Sequence, residues 1–205
     1  MLVAISVQLI DPSREDVYLA SVDDQERVMA ESSDFCGRTV LRSQSEAGRF
    51  WLVDRWLSEE SMGLALSVAR TISTVAGLVE EPREDIADAE ELAHGSGTDQ
   101  QAGFCLVAEG WLKDASLDEY EATVQVQAGR LRTEDGFLRR LRLVDRRDDR
   151  HRWVLDEWAG ERSAYESFQR SAVSEGEALR FLALFAERRP PLFATTIRGP
   201  MEIRK

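Results

Sequence analysis

The sequence predicts an α+β fold of two ferredoxin-like units in tandem, each running β-α-β-β-α-β. The first sign is an internal repeat. Residues 1–62 align without gaps on residues 103–164, so that Asp16 meets Asp118, Tyr18 Tyr120, Gln25 Gln127, Arg38 Arg140, Asp54 Asp156 and Trp56 Trp158. Roughly one position in five is identical, where chance at this composition gives about one in sixteen, which reads as a duplication. The second sign is the order in which hydrophobic periods of strand and helix type follow one another in each copy. The third is that the third strand of each copy is apolar on both faces. Trp51 and Val53 oppose Leu52 and Trp56, and Trp153 and Leu155 oppose Val154 and Trp158. A sheet with helices on one side then needs a second cover, and the two sheets are expected to cover one another as an intramolecular pseudo-dimer.

Each copy opens on an apolar run, Val3–Ile10 and Phe104–Leu112, closed by Asp11-Pro12 and by Lys113-Asp114. Helical spacing follows: Tyr18, Val22, Gln25 and Met29 in the first copy, Tyr120, Val124, Gln127 and Leu131 in the second. Strands are expected at Phe35–Ser43 and Arg49–Trp56, and again at Phe137–Asp145 and His151–Trp158, joined by the hairpin-length segments Gln44–Gly48 and Arg146–Arg150. Ser58-Glu59-Glu60-Ser61 then supplies a capping hydroxyl and first-turn carboxylates for a second helix. In the second copy Leu179, Phe181, Leu182, Leu184 and Phe185 continue that helix, Pro190-Pro191 stops it, and Leu192–Ile197 is the last strand. In the first copy Val75–Val79 is a candidate last strand and Arg83–His94 reads as an acidic connecting helix, with a hinge at Gly95–Gly103. The expected division is residues 1–80 for the first unit, 81–102 for an acidic, partly helical linker, and 103–205 for the second unit.

A net charge of −12 over 205 residues argues against nucleic acid and anionic membrane as partners. Met1–Leu9 lacks a basic lead-in and is too short to cross a bilayer, so neither a signal peptide nor an anchor is expected there. Cys36 and Cys105 fall at different places in the repeat and read as free thiols of a cytoplasmic protein. His94 and His151 have no second histidine at ligand spacing, which gives a metal site poor support. Phosphate loops, nucleophile elbows and nucleotide fingerprints are absent from the sequence.

At Arg49–Met62 (RFWLVDRWLSEESM), again at His151–Ala164, and in the turn Thr133-Glu134-Asp135-Gly136-Phe137, the chain resembles the antibiotic-biosynthesis-monooxygenase family of the dimeric α/β-barrel superfamily. The resemblance implies an intramolecular dimeric α/β-barrel with a pocket between sheet and helices in each unit. It also implies oxygenation of an aromatic, polyketide-like phenol without a cofactor, in which the deprotonated substrate itself passes an electron to oxygen. The family tryptophan matches Trp56 and Trp158. The asparagine that several oxygenases carry four residues earlier matches Leu52 and Val154, and the sequence contains no asparagine at all. The haem-ligating histidine of the haem-degrading branch falls on Leu66 and Phe168, which argues against that reaction.

The candidate site residues are the repeated ones. Asp54 and Asp156 lie two residues before their tryptophans on a strand, hence on the same face, where a carboxylate beside an indole could take a phenolic proton. The alternative is an ion pair with Arg38 and Arg140, which recur with them. Trp56 and Trp158 offer a stacking wall, or else close the core beneath the second helix. Tyr18 and Tyr120 face the sheet and could orient a ligand, or simply pack. Two functions follow: a cofactor-free monooxygenase for a small aromatic molecule, or a catalytically silent binding, structural or regulatory protein of the same fold, monomeric as a pseudo-dimer or paired as a homodimer.

Overall fold

A computed structural model describes residues 1–73, 78–95, 102–160, 162–174 and 176–198. The described chain is α+β and falls into two compact units, the first within Met1–Asp88 together with Thr196–Arg198, the second within Ala89–Thr195. The tandem ferredoxin-like class expected from the sequence is the one observed.

In the first unit β1 (Leu2–Leu9), α1 (Glu15–Met29), β2 (Phe35–Ser43), β3 (Arg49–Trp56), α2 (Glu59–Ser73) and the first half of β4 (Arg83–His94) give the antiparallel order β4-β1-β3-β2. The hairpin limits are those the sequence marks, because the polar segment at Gln44–Gly48 cannot extend the alternation. Val22, Val40, Phe50 and Leu52 form one core cluster with Tyr18, while Ala4, Met29, Phe35, Trp56 and Met62 form another. The opposite face of β3 is buried as well, at Trp51, Val53 and Arg55. The α2 cap is the expected one: Ser58 Oγ accepts from the Ser61 N–H at 3.2 Å and donates to Asp34 Oδ2 at 2.8 Å.

The second unit repeats this with β5 (Ala102–Leu112), α3 (Leu117–Leu131), β6 (Phe137–Asp145), β7 (His151–Ala159), α4 (Arg162–Ser174), α5 (Glu177–Ala183), β8 (Phe185–Arg188) and the first half of β9 (Leu192–Arg198). The order is β9-β5-β7-β6, with β8 also on β5. Even the irregularities recur: β2 slips against β3 between Phe35 and Gly37, and β6 slips against β7 between Phe137 and Arg139. The turn into β6 needs Gly136 at φ 77°, a left-handed conformation that a Cβ disfavours.

Two expectations change. Arg83–His94 is a strand, not a connecting helix. Its Ala- and Glu-rich text favours helix locally, but Arg83–Asp88 pairs along β1, Ile86 packs into the first core, and Leu92 and Ala93 pack into the second. Phe185 leaves the second helix and starts β8, which pairs with Gly110, Trp111 and Leu112. Of the candidate strand Val75–Val79, residues 75–77 lie outside the described residues; Leu78 makes a single bridge to Ile10. The hinge residues 96–101 and Glu161 lie outside them too. No helix among the described residues is long and apolar enough to cross a membrane.

Candidate functional site

The repeated acids prove to be halves of repeated ion pairs. Arg38 donates from Nε and Nη2 to Asp54 Oδ1 and Oδ2 at 2.6 and 2.7 Å, and from Nη1 to Gln25 Oε1 at 3.1 Å. Arg140 does the same to Asp156, at 2.7 Å twice, and to Gln127 at 3.1 Å. All four charged side chains are buried, Asp156 completely. A bidentate guanidinium–carboxylate pair with a third acceptor satisfies most of the polar capacity that burial takes from water. The sequence fixes this triad by placing arginine on the second strand opposite aspartate on the third, Arg38↔Asp54 and Arg140↔Asp156, beneath a glutamine of the first helix.

The tryptophans are buried with them. Trp56 packs on Phe35 with ring centroids 4.8 Å apart, and Trp158 stands edge-on to Phe137 at 5.3 Å and to Tyr165 at 6.1 Å. Neither indole N–H has a hydrogen-bond partner. Tyr18 packs against Phe50 with tilted rings, centroids 4.8 Å apart.

Beneath the helices of the second unit lies a cavity of about 200 Å³. Its floor is the helix-facing side of the sheet, at Leu106, Ala108, Val154 and Asp156, and its walls include Tyr120 of α3 and Phe168 of α4. Tyr165, Phe181 and Phe185 close it further. Of the expected site residues of this unit, Asp156 and Tyr120 line the cavity, and Trp158 stands behind Tyr165 and Phe168 instead of lining it. The Tyr120 hydroxyl is buried without a hydrogen-bond partner. Burial, aided by the Asp156 charge and opposed by nearby arginines, pushes this phenol up to about 12, so it stands as a neutral donor. Tyr165 rises likewise to about 12, from burial first and then Asp156.

Arg152 and Gly110 were not among the expected site residues, and both border the cavity. They face each other across β5 and β7, where the first unit pairs Gln8 with Phe50. Gly110 is required by close approach: a Cβ there would lie 2.6 Å from the Phe185 ring and 3.0 Å from the Glu187 carbonyl oxygen. The signal that could have found them is the opposite of repetition, namely a polar-for-apolar and a small-for-large exchange at one cross-strand pair.

On the other face of the second sheet His151 is held between two carboxylates, with Nδ1 2.8 Å from Asp145 Oδ2 and Nε2 3.0 Å from Glu109 Oε1. Trp111 stacks on its ring at 4.1 Å. Burial pulls the imidazole down, but the two hydrogen bonds and the charges behind them win, and the group is raised above 6.5. The protonated ring therefore stabilises the fold in full below its unfolded value and loses that contribution as pH rises through the higher folded value. Denaturation midpoints of wild type and His151→Gln should differ most in mildly acidic buffer and converge as the pH is raised. A gap that widens with pH would contradict the assignment.

Among the described residues no group of three or more His, Cys, Asp or Glu side chains is placed to hold a metal ion. Cys36 and Cys105 are free thiols.

No protein-family model matches the sequence, and no curated protein matches it. Solved structures do. A protein of Fusobacterium nucleatum subsp. nucleatum, provisionally named a monooxygenase, matches with a TM-score of 0.79 at 11% identity over 100% of this chain and 97% of its own. A provisionally named monooxygenase of Lactobacillus acidophilus matches at 0.68 and 9% identity over 98% and 97%. An anthrone oxidase-like protein matches at 0.68 and 12% identity over 97% and 92%. At these identities the likeness is one of fold: the chain has the α+β fold of monooxygenase-like and anthrone-oxidase-like proteins.

Proposed function

We propose that the second unit binds a small aromatic phenol in its cavity and oxygenates it without a cofactor. The observation that carries this reading is the cavity itself, a hollow with a largely apolar and aromatic wall whose lining includes the unpartnered phenol of Tyr120 and the carboxylate of Asp156. In this reading Tyr120 donates to a substrate oxygen, and Asp156, locked by Arg140, accepts the phenolic proton or holds the field in which it leaves. Trp158 supports the wall from behind. Asp54, Trp56 and Tyr18 are the matching positions of the first unit, where Phe50 and Leu52 fill the space beside Tyr18; they are assigned packing. For an anthrone the balance is simple. The ring CH₂ becomes C=O with one atom of O₂, the other atom leaves as water, and the substrate supplies every electron.

The names of the solved structures similar in fold, and the resemblance at Arg49–Met62, support the reaction class. Val154 in the oxygenase asparagine position and the Arg140–Asp156 pair favour the second reading, a binder without turnover. Oxygen uptake with anthrone and hydroquinones, run with and without chelator, decides between them. The expected result is chelator-insensitive uptake that is lost in the cavity-filling variants Ala108→Leu and Val154→Phe. Tight binding with no uptake would leave the binder and remove the oxygenase.

A further inference from the structure

We infer that Arg152 forms an anion-recognition subsite in the cavity of the second unit, selecting aromatic ligands that carry a carboxylate. The inference rests on reading the cavity as a ligand site, not on turnover.

Arg152 is 4% exposed, yet among the described residues it has no carboxylate partner. Its Nη1 donates to the His151 carbonyl at 3.1 Å, and its Nε has no partner. An unpaired buried guanidinium is costly, and folds rarely retain one without compensation. The fold does not require it. At the matching place in the first unit stands Phe50, fully buried, opposite Gln8 on β1. In the second unit the opposing residue is Gly110, over which the Phe185 ring closes, and Arg152 borders the cavity where the first unit has a buried ring.

The surroundings are positive. Four arginines border the cavity, Arg140, Arg152, Arg188 and Arg189, against two carboxylates, Glu109 and Asp156. Asp156 is consumed by Arg140, and Glu109 by His151 with Arg189 at 3.6 Å. In a chain of net charge −12 this is a local reversal of sign. Low-dielectric walls around such a reversal concentrate an anionic ligand. Burial first and then the nearby Arg142 disfavour the charge on Arg152; Tyr120, Asp149 and Asp148 act the other way without cancelling them, and an incoming carboxylate would relieve what remains. Its planar fork suits a carboxylate, and the unpartnered Tyr120 hydroxyl is a second donor at the same cavity.

The test compares two phenols of one shape, 1-hydroxy-2-naphthoate and 1-hydroxy-2-naphthamide, titrated by calorimetry into wild type, Arg152→Met and Arg152→Phe, the last copying the residue the first unit uses. Wild type should bind the acid about tenfold or more tighter than the amide, the scale of one charge-assisted pair. Both variants should lose that preference, keep amide affinity, and melt no lower than wild type. A structural arginine would instead lower the melting temperature. Equal binding of acid and amide by wild type, which needs no variant to fold, would overturn the subsite and leave the ligand cavity standing. Failure of wild type to bind either phenol would overturn both.

Discussion

Asp54→Ala is expected to lower unfolding free energy by about 3–5 kcal/mol, the cost of leaving a buried guanidinium without its carboxylate. Arg38 is 2% exposed, its remaining side-chain hydrogen bonds go to the Gln25 oxygen at 3.1 Å and the Met29 sulfur at 3.7 Å, and the Glu26 charge acts on it without a hydrogen bond. Replacing both partners, Arg38→Met with Asp54→Leu, removes the charge along with its partner and should recover much of the loss. Chemical denaturation of the two proteins checks this. A single mutant within about 1 kcal/mol of wild type would mean that the pair is not the structural element described, because that is the scale of an exposed ion pair. The experiment belongs in the first unit, where a loss of stability is not mixed with loss of a ligand.

Trp158→Ala is expected to cost a further class of energy, about 3–5 kcal/mol for a large ring removed from a closed core. It should also abolish ligand binding, because Tyr165 and Phe168, which line the cavity, rest against the indole at 6.1 and 6.3 Å. Trp56→Ala should cost a similar amount of stability and spare ligand binding, since Trp56 packs in a core of the first unit with Phe35 and Met62. Binding measured at low temperature on both proteins separates these effects. If the two variants lose binding equally, the site does not belong to the second unit alone.

The sequence made the architecture legible wherever a residue had one task in both copies. Gln25 and Gln127, Arg38 and Arg140, and Asp54 and Asp156 recur because each set builds one buried triad. The ends of β2, β3 and β6 and the start of β7 fall at the marked residues because the hairpin segments are polar. Arg83–His94 was not legible. Its local text favours helix, and only the ladder to β1, with Ile86 and Leu92 as anchors, decides for strand. Phe185 misled for a related reason: no breaker stands between Leu179 and β8, and the pairing with β5 depends on the absence of a side chain at Gly110. The site was only half visible. Identity between copies selects what the fold requires, so it pointed to Asp156, Tyr120 and Trp158, of which two border the cavity. What distinguishes the cavity lining from the first unit is divergence, Gly110 for Gln8 and Arg152 for Phe50, and a search for repetition passes over it.

The function proposed for this protein places its ligand in the cavity under the helices of the second unit. A crystal structure of the protein soaked with 1-hydroxy-2-naphthoate tests it most directly. The expected result is the naphthalene ring inside the cavity that Tyr120, Phe168 and Phe185 line, with its carboxylate on Arg152. A ligand bound only outside this cavity, with Tyr120 and Arg152 untouched, would contradict it.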